Sequence, residues 1–197
     1  MKIRTTLLKS TFVLATAVFF VSGGPVLAAD EPTALSLIKE ANRYVGEETK
    51  DQVVQIRSEK SVASLTPNIW YVVFYDKDAT FKTAEVKFGA GKKLEVKHPM
   101  RQPFAYINYK NVMDSKTLKI DSDKAIKIAT AEPLLDKLTI KATQLSLDRP
   151  ETTPTWRVRV WAAKLRNPNA DADIGEVFIS ADEGKVIKTD LHINRVD

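Results

Sequence analysis

The sequence predicts an α+β protein built from two similar units, each a helix packed on an antiparallel β-sheet. Three observations carry that expectation. A strand-and-turn pattern occurs twice in the same order, each half opens on a segment with helical spacing of its apolar residues, and β-branched or aromatic runs follow each opening segment.

The repeated pattern is read first because a doubled unit constrains architecture more than any single segment. In the first half, Pro67-Asn-Ile-Trp70 leads through Val72 and Phe74 to Glu85-Val-Lys-Phe88-Gly-Ala90 and Gly91-Lys92. In the second, Pro154-Thr-Trp156 leads through Val158 and Val160 to Glu176-Val-Phe-Ile179-Ser-Ala181 and Gly184-Lys185. Val86 aligns with Val177, Phe88 with Ile179 and Ala90 with Ala181, once Asp182-Glu183 is taken as an insertion. Trp70 and Trp156 then fall at matching places, which points to core positions for both rather than to stacking platforms.

In the first unit, Ala34, Ile38, Ala41 and Val45 form one helical stripe, with Pro32 suited to the first turn and Gly46 to the stop. Strands are expected near residues 52–58, 69–75, 80–88 and 93–97, where β-branched and aromatic residues gather. In the second unit, Asp121 or Ser122 caps a helix running through Ala125, Ile126 and Ala129, and Pro133 breaks it because proline has no amide donor. Strands near 139–147, 155–163, 176–180 and 185–191 complete that unit. The boundaries that follow are a leader over 1–29, a first unit over 30–97, a connector over 98–119 and a second unit over 120–197. Phe104, Tyr106, Ile107 and Tyr109 make the connector too aromatic for a solvated tether, so it is expected to pack.

The leader sets the compartment. Lys2, Arg4 and Lys9 precede an uncharged apolar run from Thr11 to Val21, then Gly23-Gly24-Pro25 and the small residues Ala28 and Ala29. This is the pattern of a cleavable secretory signal, because the run falls short of the roughly 20 residues that cross a bilayer as a helix. The expected product is periplasmic or secreted, without a stable membrane span. It has no cysteine, hence no disulfide, thiol nucleophile or thiolate metal site. The formal charge of +5 includes three cations of the leader, so the mature chain stands near about +2, too little for a nucleic-acid binder.

The second half resembles the PepSY family, the secreted module found in propeptides of bacterial metallopeptidases and in standalone exported proteins. The resemblance rests on Asp121-Ser-Asp-Lys-Ala125-Ile-Lys-Ile-Ala129 as the opening helix, Trp156-Arg-Val158-Arg-Val160 as the central strand and Glu176-Val-Phe-Ile179 through Gly184-Lys-Val-Ile187 as the closing hairpin. It covers about 115–190, and a degenerate copy covers about 33–96. It implies a cystatin-like α+β sheet and a role in restraining or binding peptidases. It transfers no catalytic or binding residue, since the matched positions serve the fold.

Assembled enzyme chemistry is missing from the pattern. The two histidines, His98 and His192, belong to no triad or ligand spacing, and neither a nucleophile elbow nor a His-Glu-x-x-His helix occurs. Gly89-Ala-Gly91-Lys92 lacks the spacer and the hydroxyl residue of a phosphate loop and reads as a hairpin turn. The expected function is therefore a non-catalytic binding or inhibitory module of the cell envelope, with a peptidase or another envelope protein as partner and no cofactor. Arg157, Arg159 and Trp161 share one strand face and form the candidate partner-binding stripe. The alternative is a small-ligand or calcium-binding protein: Asn169, Asp171 and Asp173 place oxygen-bearing side chains at every second position, the spacing a calcium loop uses, though glycine is missing after Asp173.

Overall fold

Strand alternation is the dominant local force in the fold. In a computed structural model, which describes residues 32–100 and 107–197, β1 (Val53–Ser58), β2 (Ile69–Tyr75), β3 (Thr83–Gly89) and β4 (Lys92–Lys97) follow a short helix, α1 (Ala34–Ala41). A second helix, α2 (Ser122–Thr130), precedes β5 (Ile140–Asp148), β6 (Thr155–Ala163), β7 (Asp171–Ser180) and β8 (Val186–Leu191). The leader expected over 1–29 lies outside the described residues.

The expectation of two helix-on-sheet units is overturned. All eight strands form one antiparallel sheet in the order β4-β3-β2-β1-β5-β6-β7-β8, and the fold is β-rich with two short helices. The reason lies at the junction. Had the halves closed separately, β1 and β5 would each have been an edge with unpaired N–H and C=O groups, and such edges invite pairing. Here they satisfy each other, with Gln55 opposite Asp148, Ile56 opposite Leu147 and Arg57 opposite Ser146. Beyond that register serine hydroxyls continue the seam: Ser58 Oγ accepts from Leu145 N at 2.9 Å and Ser61 Oγ accepts from Thr143 N at 2.9 Å.

One core serves the whole sheet. Leu37, Ile38, Ile126 and Ala129 of the helices pack with Trp70, Phe74, Phe88, Leu145, Trp156 and Ile179 of the strands in a single cluster on one sheet face. Both expected core tryptophans are buried, and their indoles are satisfied: Trp70 Nε1 donates to Pro67 O and Trp156 Nε1 to Ile120 O, each at 2.8 Å. α2 ends at Thr130, and Pro133 opens a separate 3-10 turn to Leu135.

Of the four connector residues expected to pack, Ile107 is buried, Tyr109 is exposed, and Phe104 and Tyr106 lie outside the described residues. Ile107 and Val112 cover Val54 and Val73 on the face opposite the helices, while Met113 joins the main core and donates its N–H to Val53 O at 2.8 Å. The other face thus has a buried apolar cluster near the start of β1. The remainder carries polar and charged side chains with Tyr71, Trp161 and Phe178 among them, and the candidate site lies there.

Candidate functional site

On that polar face, cross-strand register lines up seven side chains in one row: Lys87, Tyr71, Arg57, Ser146, Arg157, Phe178 and Lys188. Each end has a cation over a ring, with Lys87 Nζ 5.1 Å from the Tyr71 centroid and Lys188 Nζ 5.4 Å from that of Phe178. Arg57 also stacks on Tyr71 at 4.1 Å. Such contacts favour cations held flat on the sheet. At the centre of the row stands its shortest side chain, Ser146.

The short serine leaves a groove. A cavity of about 310 Å³ opens over Ser146 and Gln144, walled by Arg57 on the β1 side and by Arg157 and Arg159 on the β6 side, with Glu176 and Gln55 at its rim. Neighbouring strands lie about 4.8 Å apart, so the backbones of Arg57 and Arg157 flank the serine at about 10 Å from one another. Three guanidinium groups and one carboxylate line the groove, and two further acids, Glu85 and Asp148, lie against Arg57 and Arg157.

Each arginine is oriented by an acid of its own. Arg57 Nη2 bonds Glu85, a side chain only 2% exposed that Lys97 Nζ also approaches at 3.1 Å. Arg157 Nη2 donates to Asp148 Oδ2 at 3.2 Å. Arg159 grips Glu176 Oε1 with Nε at 2.8 Å and Nη2 at 2.5 Å, and its Nη1 lies 3.9 Å from Asp173 Oδ2. These bonds leave most guanidinium N–H groups without a protein acceptor, which is the condition for binding a further anion. Gln55, 5% exposed, has an unpartnered Oε1 and a long 3.4 Å bond from Nε2 to Asp148.

At the near end of the row, the Tyr71 hydroxyl bonds Glu59 and holds that carboxyl below its ordinary range, with Lys87 adding to the effect. Tyr71 likewise raises the Lys87 ammonium above its ordinary value. Both groups stay charged at neutral pH and keep that end of the face ionic.

Comparison with protein-family models, curated proteins and solved structures returns no match. The reading of the site therefore rests on its own geometry.

The structure brings two of the three stripe residues together. Arg157 and Arg159 wall the groove, whereas Trp161 lies beyond it, under Lys60 Nζ at 4.8 Å from the ring centroid. Asp171 and Asp173 fall within β7 and face cations: Lys60 Nζ lies 2.7 Å from Asp171 Oδ2, and Arg159 neighbours Asp173. Asp173 Oδ1 also accepts from Gly175 N at 3.0 Å, and Asn169 sits in the preceding turn with its N–H donating to Asn167 Oδ1 at 3.3 Å. Among the described residues, no three His, Cys, Asp or Glu side chains gather as a metal site, and no helix is long and apolar enough to cross a membrane.

Arg57, Ser146, Gln144 and Glu176 were missed from sequence. The alternation of Arg57 between Ile56 and Ser58 marks a surface position, but nothing local says that it faces Ser146 across the sheet. Glu85 offers no stronger local clue, because it alternates with Ala84 and Val86 and shares its face with Lys87, as an ordinary outward-facing acid would.

Proposed function

We propose that this chain is an exported, non-catalytic binding module of the cell envelope that holds a partner protein, a peptidase in the specific version, on the polar face of its sheet. The observation that carries the reading is the groove over Ser146, where three oriented arginines retain free donors on an open surface. A preformed concavity lined by oriented donors, without a nucleophile–base pair, suits recognition better than turnover. The leader-like first segment supports export, and the PepSY-like residues of the second half supply the peptidase as the partner to try first. The test is capture by the immobilised chain of secreted peptidases from the same organism, with their activity assayed at rising concentrations of the chain. Enrichment with altered peptidase activity supports the reading. Absence of both overturns the peptidase version.

A further inference from the structure

Resting on that binding-module reading, we propose that the groove over Ser146 recognises an acidic segment of the partner polypeptide, seating one carboxylate between Arg57 and Arg157. The unused donors select the class of ligand. Arg57, Arg157 and Arg159 are charge-balanced by Glu85, Asp148 and Glu176, yet each keeps N–H groups that its acid does not take, so a carboxylate finds hydrogen-bond partners in the groove. Asp148 and Glu85 stand directly behind two of those arginines, so a second negative charge on the same group meets close repulsion. A singly charged carboxylate is accommodated, and a phosphate dianion is penalised.

A free acceptor argues for a polypeptide rather than a bare organic acid. Glu176 at the rim accepts only from Arg159 and keeps Oε2 free, while the unpartnered Gln55 Oε1 is buried and out of a ligand's reach. A ligand that brings N–H donors beside its carboxylate uses Glu176 as well as the arginines, and an acidic residue in an extended peptide does so through its own main chain. The groove is open to solvent and centred on β5, between β1 and β6, so an extended segment can lie over Ser146.

The experiment titrates the full chain with a synthetic peptide of about ten residues carrying glutamates at alternate positions, beside its glutamine counterpart and free glutarate, by calorimetry at low and physiological salt. The glutamate peptide is expected to bind about tenfold more tightly than the glutamine peptide, and to weaken with salt. Ser146→Leu, which fills the groove, and Arg157→Lys, which keeps the charge but loses the planar fork, are each expected to weaken binding by about fivefold or more. Melting curves check that both variants fold, and Arg157→Lys carries the test should Ser146→Leu fail. Equal or absent binding of the two peptides overturns the proposal, as does glutarate binding as tightly as the peptide, or wild-type affinity in the folded variants. Partner capture without peptide binding sinks this site alone; peptide binding without any peptidase captured sinks only the peptidase reading.

Discussion

Asp121 and Leu35 are joined by a hydrogen bond in which the carboxylate that caps α2 also caps α1. Asp121 Oδ1 accepts from Ser122 N at 2.7 Å within its own helix and from Leu35 N at 3.1 Å in the other, and Ser122 Oγ accepts from Ala34 N at 3.0 Å. Thr33, the residue before α1, makes no side-chain cap of its own. Two helix N-termini, each with unsatisfied N–H groups and a partial positive charge, thus converge on one acid. That shared cap ties the helices over the single core.

Replacing Asp121 by alanine removes acceptors from two helices at once. The expected loss is about 1–3 kcal/mol, above the usual cost of one cap. Denaturant unfolding of D121A checks the magnitude. Asp121→Asn, which keeps an acceptor oxygen and loses the charge, is expected to recover part of the loss.

Arg57 supports the site and the fold together, because Glu85 is buried beneath it. In Arg57→Met the carboxylate keeps only Lys97 as a cation partner, and removing one member of a buried pair costs about 3–5 kcal/mol. The exposure of Arg57 and of the lysine brings the expected figure to the lower end. A double variant with Glu85→Leu is expected to regain stability relative to R57M while leaving the groove without its β1 wall. Chemical denaturation of the three proteins measures the coupling.

Much of the fold was legible in local patterns, and what was missed is long-range. Most strand positions, the break at Pro133 and the burial of both tryptophans follow from alternation, backbone chemistry and apolar content, which neighbours in sequence determine, whereas β7 starts at Asp171, five residues before the strand expected over 176–180. The merging of everything into one sheet depends on Ile56 meeting Leu147, and no spacing in either strand encodes that choice. The site divided along the same line. Arg157 and Arg159 share a strand and were found together, whereas Arg57 and Ser146 become their neighbours only through the β1–β5 pairing.

The Tyr71–Glu59 bond gives a signed pH dependence. Glu59 is held below its ordinary value in the folded chain, so the bond's contribution is complete above the unfolded glutamate range and disappears as pH falls through the lower folded value. Glu59 is half exposed, which limits the contribution to less than about 1 kcal/mol. Tyr71→Phe is therefore expected to be slightly less stable at neutral pH and equal to the parent in acid. Carboxyl chemical shifts followed against pH should show Glu59 titrating higher in Y71F, and an unchanged titration would refute the assignment.

Gly175 is the position where one methyl group is expected to do the most damage. It lies in β7 at φ +114°, a conformation that side-chain-bearing residues rarely adopt, and a Cβ there would stand 2.0 Å from the backbone oxygen of Asp190 in β8. The neighbour is main chain held in register, with Gly175 opposite Leu191 and His192 N donating to Ile174 O at 2.7 Å, so it cannot swing aside as a side chain would. Gly175→Ala must either push β8 away or force the backbone at residue 175 to change. Displacing β8, an edge strand, costs fewer contacts than disturbing β7, which is paired on both sides. The expected result is a loss of about 2–3 kcal/mol, with faster amide exchange confined to residues 188–192 and little change at Val158 and Val160. Amide hydrogen exchange of G175A beside the parent reads this directly, and uniform acceleration across β6 as well as β8 would show that Gly175 holds the whole sheet rather than its edge.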